Sequence, residues 1–197
     1  MNREGKASDI CGILLAAGRS TRFGTNKLLH PLPDGNPIAA ASGRAMLGVL
    51  PRVVAVVRPD DRILIDLFAR EGIATVLACN SHEGIGSSLS AAVAATKEAP
   101  GWIVALADMP YIRPATYSLV LNALAAGSEL AAPIYRGHRG HPVGFSSTFR
   151  DALTQLRGDE GAQAILRQYE GLVDRIAPDD PGVLLDIDFP EDIRKGE

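Results

Sequence analysis

A chain of 197 residues has room for one domain with a sizeable core and little more. Its 46% hydrophobic and 22% charged residues are those of a globular protein, and a net charge of −3 excludes the broad basic field of a nucleic-acid binder. No stretch approaches the length of a membrane span, so the chain is expected to be cytoplasmic.

The polar segment from Met1 to Asp9 has no apolar core of its own and is expected to be a disordered tail before one domain over 10–197. Ile10 to Leu15 is a continuous apolar run, and Val53 to Val57, Ala74 to Ala78 and Trp102 to Leu106 repeat the pattern. Between them fall helical stretches at Ile63 to Arg70 and Ser87 to Lys97, and Pro114 to Ala126 follows with proline in its first turn. Strands that are apolar throughout suit a sheet covered on both faces, and strand–helix alternation predicts a mostly parallel α/β sheet. Right-handed crossovers then gather the loops after the strands along one edge.

The pattern changes after Gly127. Leu130 to Ile134 and Pro142 to Phe145 read as strands around a basic Gly/His segment, and Phe149 to Leu156 and Ala162 to Tyr169 read as helices. Leu172 to Ile176 and Val183 to Ile187 read as further strands, before a closing helix from Pro190. Residues 10–126 are expected to bind nucleotide and 127–197 to bind an acceptor. Cys11 and Cys79 form no C-x-x-C pair and have no matching His spacing, so both are expected to be buried thiols and not zinc ligands.

The strongest chemical signal is the loop after the first run, Leu15-Ala16-Ala17-Gly18-Arg19-Ser20-Thr21-Arg22-Phe23-Gly24-Thr25-Asn26-Lys27. Gly18 and Gly24 let backbone N–H groups approach phosphate oxygens, while Arg22 and Lys27 can neutralise charge that shifts during transfer. The loop is neither a Walker A sequence, because Gly18 and Gly24 stand one residue too far apart, nor a G-x-G-x-x-G fingerprint.

This loop resembles the signature of the MocA/MobA-like nucleotidyltransferases that complete the molybdenum cofactor. The resemblance runs from Ile10 to Ile193 through Glu83-Gly84-Ile85-Gly86-Ser87-Ser88-Leu89, Ala107-Asp108-Met109-Pro110, Gly140-His141-Pro142-Val143, Gly158-Asp159-Glu160-Gly161-Ala162 and Asp186-Ile187-Asp188-Phe189-Pro190-Glu191-Asp192. It implies a three-layer Rossmann-like nucleotidyltransferase fold.

Asp108, just beyond the fourth strand, offers a hard oxygen to Mg²⁺, which takes one or two carboxylates beside phosphates and waters. The resemblance assigns it the same role. Asp186 and Asp188 face one side, two residues apart, and by resemblance Asp188 is the second ligand, although it also reads as a helix N-cap. Leu15, Ala16, Ala17, Gly18 and Lys27 are expected to hold the nucleotide, with Gly86, Ser87 and Ser88 at a helix start reading the base. Plain capping by Ser87 competes with that role. Arg139 and His141 are expected to grip an anionic acceptor.

The resemblance implies molybdopterin as acceptor, and a molybdenum hydroxylase apoenzyme as a partner. It implies CTP as donor because Ala17 stands where the guanylyl branch carries glycine. Open alternatives are a GTP-using enzyme, a sugar- or alcohol-phosphate nucleotidyltransferase, and a non-catalytic protein that delivers cofactor.

Overall fold

The structure is a computed structural model that describes residues 9–18, 23, 26–159 and 161–196. Among the described residues eight strands form one sheet: β1 (Cys11–Leu15), β2 (Val53–Val57), β3 (Ala74–Leu77), β4 (Gly101–Leu106), β5 (Leu130–Tyr135), β6 (His138–Arg139), β7 (Val143–Ser146) and β8 (Val173–Ile176). Their order is β3-β2-β1-β4-β7-β5-β6, with β8 also paired to β5. The pairs β1–β2, β1–β4, β2–β3 and β5–β8 are parallel, whereas β7 runs antiparallel to both β4 and β5. The fold is the expected α/β arrangement with a mostly parallel sheet.

Strands β1, β2 and β4 are apolar throughout because both their faces are covered. Leu14, Ala55, Ile103 and Ala105 pack into one hydrophobic cluster, and their neighbours Ile13, Val54, Val56, Trp102 and Val104 pack into the other. Period-two side-chain direction turns each uninterrupted run into two core faces. The helices α1 (Ile38–Leu47), α2 (Arg62–Arg70) and α4 (Pro114–Ala126) supply the first cluster, and α3 (Ile85–Ala95), α5 (Arg150–Thr154) and α6 (Gln163–Gln168) supply the second.

Helix α1 is absent from the sequence reading. Its buried residues, Ile38, Ala39, Ala40, Ser42, Gly43 and Met46, are mostly small and spread around the axis, so no clean apolar stripe marks it. The Val183–Ile187 strand is not formed. Asp180 and Pro181 start a 3-10 turn over Pro181–Leu184 instead, with the Asp180 carboxylate accepting from the Gly182 N–H. The run meets loops, and no strand among the described residues pairs with it. The closing segment, Pro190–Gly196, is 3-10 and not α-helical. Cys11 is buried as expected, but Cys79 is exposed, because β3 is an edge strand and ends before it. Of the expected tail only Asp9 lies among the described residues.

Between β6 and β7 the pairing slips. Ile134 faces Arg139 and Ala131 faces Gly144, so three steps along β5 match five along the return. The two extra residues are absorbed at Gly140-His141-Pro142, which lifts His141 out of the ladder in the manner of a bulge. The His141 N–H is donated to the Val183 carbonyl at 2.9 Å.

Candidate active site

Parallel pairing of Leu15 with Val56 and Leu106 brings the ends of β1, β2 and β4 to one edge. The Ala107 N–H extends this pairing by donating to the Leu15 carbonyl at 3.0 Å. The first loop and the Asp108 turn therefore leave the sheet side by side. Helix α1 braces the same turn, since the buried Ser42 hydroxyl donates to the Ala107 carbonyl at 2.9 Å.

Lys27 opens a 3-10 turn, Lys27–Leu29, whose cap Asn26 accepts from the Leu28 N–H at 3.2 Å and donates to Asp61 at 2.8 Å. Arg58, after β2, donates to the Gly18 carbonyl at 3.2 Å and to Asp61 at 3.3 Å. Arg58 and Asp61 thus pin both described ends of the Gly-rich loop. Sequence reading missed them, although Arg58 and Asp61 stand just after a strand, where ligand loops begin.

The Lys27 ammonium lies 2.8 Å from Asp108 Oδ2 and 2.9 Å from Asp188 Oδ1. Burial pulls the ammonium down, but the two carboxylates outweigh it and hold Lys27 above its ordinary value. For Asp108 burial wins over Lys27, and the nearby Asp186 charge adds to the rise. Asp108 Oδ1 is buried and has no hydrogen-bond partner among the described residues. A buried carboxylate oxygen in that state favours a cation as its neighbour. The residues fit a hard divalent ion held by Asp108 and Asp188 with phosphate oxygens and water completing its shell. Asp186 is exposed, in contrast to the half-buried Asp188.

Two cavities meet at this edge. The first, of about 590 Å³, is lined by Leu15, Ala16, Ala17, Gly18, Lys27 and Asp108 together with Ser81, His82, Gly84 and Ser88. The second, of about 480 Å³, has an apolar floor that includes Leu89, Val104 and Phe145, and carries Arg139, His141, Gln163 and Arg167. Leu15, Ile85, Leu106 and Asp159 line both. Burial holds the His141 imidazole below its ordinary value.

The expected nucleotide residues do not all converge. Ser88 faces the first cavity, but the Ser87 hydroxyl donates to Glu83 at 3.0 Å and lines a separate hollow beside Cys79. The Gly86 N–H is taken by the Gly158 carbonyl at 2.9 Å, and a β-carbon on Gly86 would lie 2.9 Å from the backbone oxygens of Arg157 and Gly158. Gly84 (φ 114°) starts the helix against the same turn. Glycine at 84 and 86 therefore serves a backbone contact between the two halves, and Ser81 and His82 take wall positions that the sequence reading left out. Arg22 lies outside the described residues.

A nucleoside triphosphate and a second substrate could be held side by side on this edge, with Lys27 and Asp108 lining the first cavity, Arg139 the second, and the Asp159 carboxylate both. That is the arrangement of a nucleotidyltransferase. The chain belongs to the family of the MobA-like NTP transferase domain, whose model matches residues 12–173.

It is 32% identical over 195 residues to the purine catabolism protein PucB of Bacillus subtilis (strain 168), covering 93% of each chain. Among solved structures, Rv0371c from Mycobacterium tuberculosis H37Rv superposes with a TM-score of 0.84 at 29% identity, covering 96% of this chain and 97% of that one. A second structure of Rv0371c, complexed with manganese, gives 0.80 at 28% identity over 95% and 97%. Molybdopterin-guanine dinucleotide biosynthesis protein A from Archaeoglobus fulgidus shares the fold at a TM-score of 0.66 and 19% identity, over 95% and 97% of the chains. Among the described residues no helix is long and apolar enough to cross a membrane.

Proposed function

We propose that the protein transfers CMP from CTP to the phosphate of molybdopterin in a Mg²⁺-dependent reaction, releasing pyrophosphate. The observation that carries this reading is the pair of adjoining cavities with Lys27, Asp108 and Asp188 at the donor site and Arg139 and His141 in the neighbouring one. On it, residues 10–126 are the donor half and 127–197 the acceptor half of a single cytoplasmic domain, and a molybdenum hydroxylase apoenzyme receives the product.

The triphosphate lies along Leu15 to Gly18 with Lys27 beside it, and Arg22 adds a second cation from the same loop. Asp108 and Asp188 would hold Mg²⁺, which neutralises phosphate charge as it moves toward the leaving group. Arg139 orients the phosphate of the acceptor from the second cavity, and the apolar floor around Phe145 carries the ring system. An oxygen of that phosphate attacks the α-phosphorus in line; the new P–O bond forms as the bond to the β-phosphate breaks, and the electron pair leaves with pyrophosphate. Positioning and charge stabilisation suffice, and no covalent enzyme intermediate is needed.

The choice of CTP rests on Ala17, which packs into the apolar cluster and lines the first cavity; on this reading its methyl favours the smaller base. Base contacts are assigned to Ser88 and to the backbone at the start of α3. The test is a four-way competition of nucleoside triphosphates on molybdopterin, with adducts separated by mass. A CMP adduct supports the reading, and a GMP adduct overturns the donor. Pyrophosphate release only with a sugar or alcohol phosphate overturns the acceptor, and no release at all leaves cofactor delivery as the function.

A further inference from the structure

We propose that Asp180, which none of the site motifs contains, is a positioning residue for nucleotidyl transfer: it anchors the strap 180–188 that fixes both His141 and the Asp108 turn. The proposal rests on the reading of the second cavity as the acceptor site, but not on which acceptor fills it.

Asp180 is only 2% exposed, and its carboxylate serves two elements at once. Oδ2 accepts from the Arg113 N–H at 2.9 Å and from the Thr116 hydroxyl at 2.6 Å, which caps α4 from a distant part of the chain. Arg113 has no side-chain cap of its own there, so Asp180 supplies the anion that a helix N-terminus favours. Oδ1 accepts from the Gly182 N–H at 3.0 Å and starts the 3-10 turn Pro181–Leu184. All three of these donors are neutral, and together they satisfy both oxygens of the buried carboxylate.

Beyond Asp180 the strap carries Asp188, which meets Lys27, and its backbone bonds the site at two further points. The Val183 carbonyl accepts from the His141 N–H at 2.9 Å, and the Ile187 N–H donates to the Asp108 carbonyl at 2.9 Å. A β-carbon at Gly140 would clash with the Val183 backbone, and one at Gly182 with the Tyr111 backbone, so the strap lies directly on both neighbours. At its far end, Asp192 accepts from the Asp188 N–H at 3.1 Å and from the Phe189 N–H at 2.8 Å. The strap is pinned at each end by a carboxylate. Asp180 therefore sets where the acceptor wall stands relative to the Asp108 turn.

Asparagine at 180 keeps the shape but must abandon one donor. With its amide nitrogen at the Oδ1 position it faces the Gly182 N–H, and with it at the Oδ2 position it faces the Arg113 N–H. In Asp180→Asn, hydrogen exchange at the His141 and Ile187 amides should quicken by about tenfold or more while the β1 amides keep their protection. The acceptor kcat/KM should fall about tenfold, with CTP affinity within about twofold of wild type, because misplacement harms transfer without removing a nucleotide contact. Thr116→Val deletes one donor and leaves the carboxylate; it should give the same pattern at about a third of the size, and it stands in if Asp180→Asn does not fold. Wild-type exchange at His141 and Ile187 together with wild-type acceptor kcat/KM would overturn the proposal. So would equal acceleration across β1 and the strap, which marks a general loss of stability. The exchange arm decides even if CTP and molybdopterin prove to be the wrong substrates.

Discussion

The two cavities open on the same sheet edge, yet they are built on different principles. The first is made of backbone and concentrated charge: a Gly-rich turn pinned by Arg58 and Asp61, and one ammonium between two carboxylates. The second is made of shape, an apolar floor under dispersed polar groups, hung on a bulge and a strap with little regular structure. A triphosphate presents the same charges whatever its base, so a donor site needs fixed electrostatics. An acceptor is chosen by its body, so its site needs fit.

If the charge belongs to the donor side, Asp108 should matter most. Asp108→Asn preserves size and should lower kcat by roughly 10²-fold or more. Initial rates of pyrophosphate release measure it, and near-wild-type turnover would remove Asp108 from the site. Next comes Lys27→Ala, expected to cost roughly 10²-fold in kcat with a smaller change in CTP affinity. If only KM rises, the ammonium holds the ground state and the proposed role is wrong.

Arg139→Ala sharpens the comparison from the other side. It should raise the acceptor KM about tenfold while CTP binding, followed by calorimetry, stays put. Equal weakening of both substrates would mean that the cavities are not separate sites. A smaller effect belongs to Ala17→Gly, which should shift the GTP-to-CTP ratio of kcat/KM by up to about tenfold, since one methyl group is worth about 1–3 kcal/mol. An unchanged ratio would move base selection to Ser81, His82 and Ser88.

The smallest effect is on stability. Because burial depresses the His141 imidazole in the folded state, the unfolded chain takes up a proton first as pH falls below about 6.5. Stability should therefore decline with acid from that point down to the folded value of His141. His141→Gln should flatten this part of the urea-midpoint curve, and an identical acid slope in both proteins would show that another group causes it.

The first half of the fold was legible because β1, β2 and β4 are uninterrupted apolar runs with both faces buried, and two boundaries, Val53–Val57 and Pro114–Ala126, match the expectation. Helix α1 was hidden by its small residues. The Val183–Ile187 run misled because apolarity signals burial, and here the burial is against loops. In the candidate site, Lys27, Asp108 and Asp188 were each named from loop positions and resemblance, but their mutual contact depends on β1, β4 and the strap arriving together. Local contacts that the sequence does not reveal engage Ser87 and Gly86 at the helix start, the hydroxyl with Glu83 and the N–H with the Gly158 carbonyl. Arg58, Asp61 and Asp180 act on groups far away in sequence, the Gly18 carbonyl, the Asn26 side chain and the Arg113 N–H, and no short motif announces such a partner.

The central claim is that a nucleotide passes from the first cavity to the phosphate of an acceptor in the second. CTP labelled at the α-phosphorus, incubated with molybdopterin and Mg²⁺, tests it most directly, with label on the acceptor and pyrophosphate counted together. The account predicts label appearing on molybdopterin in equal amount to pyrophosphate, and its loss in Asp108→Asn. Pyrophosphate formed with the label left on free CMP would contradict it, because the first cavity would then be hydrolysing its nucleotide with no acceptor in place.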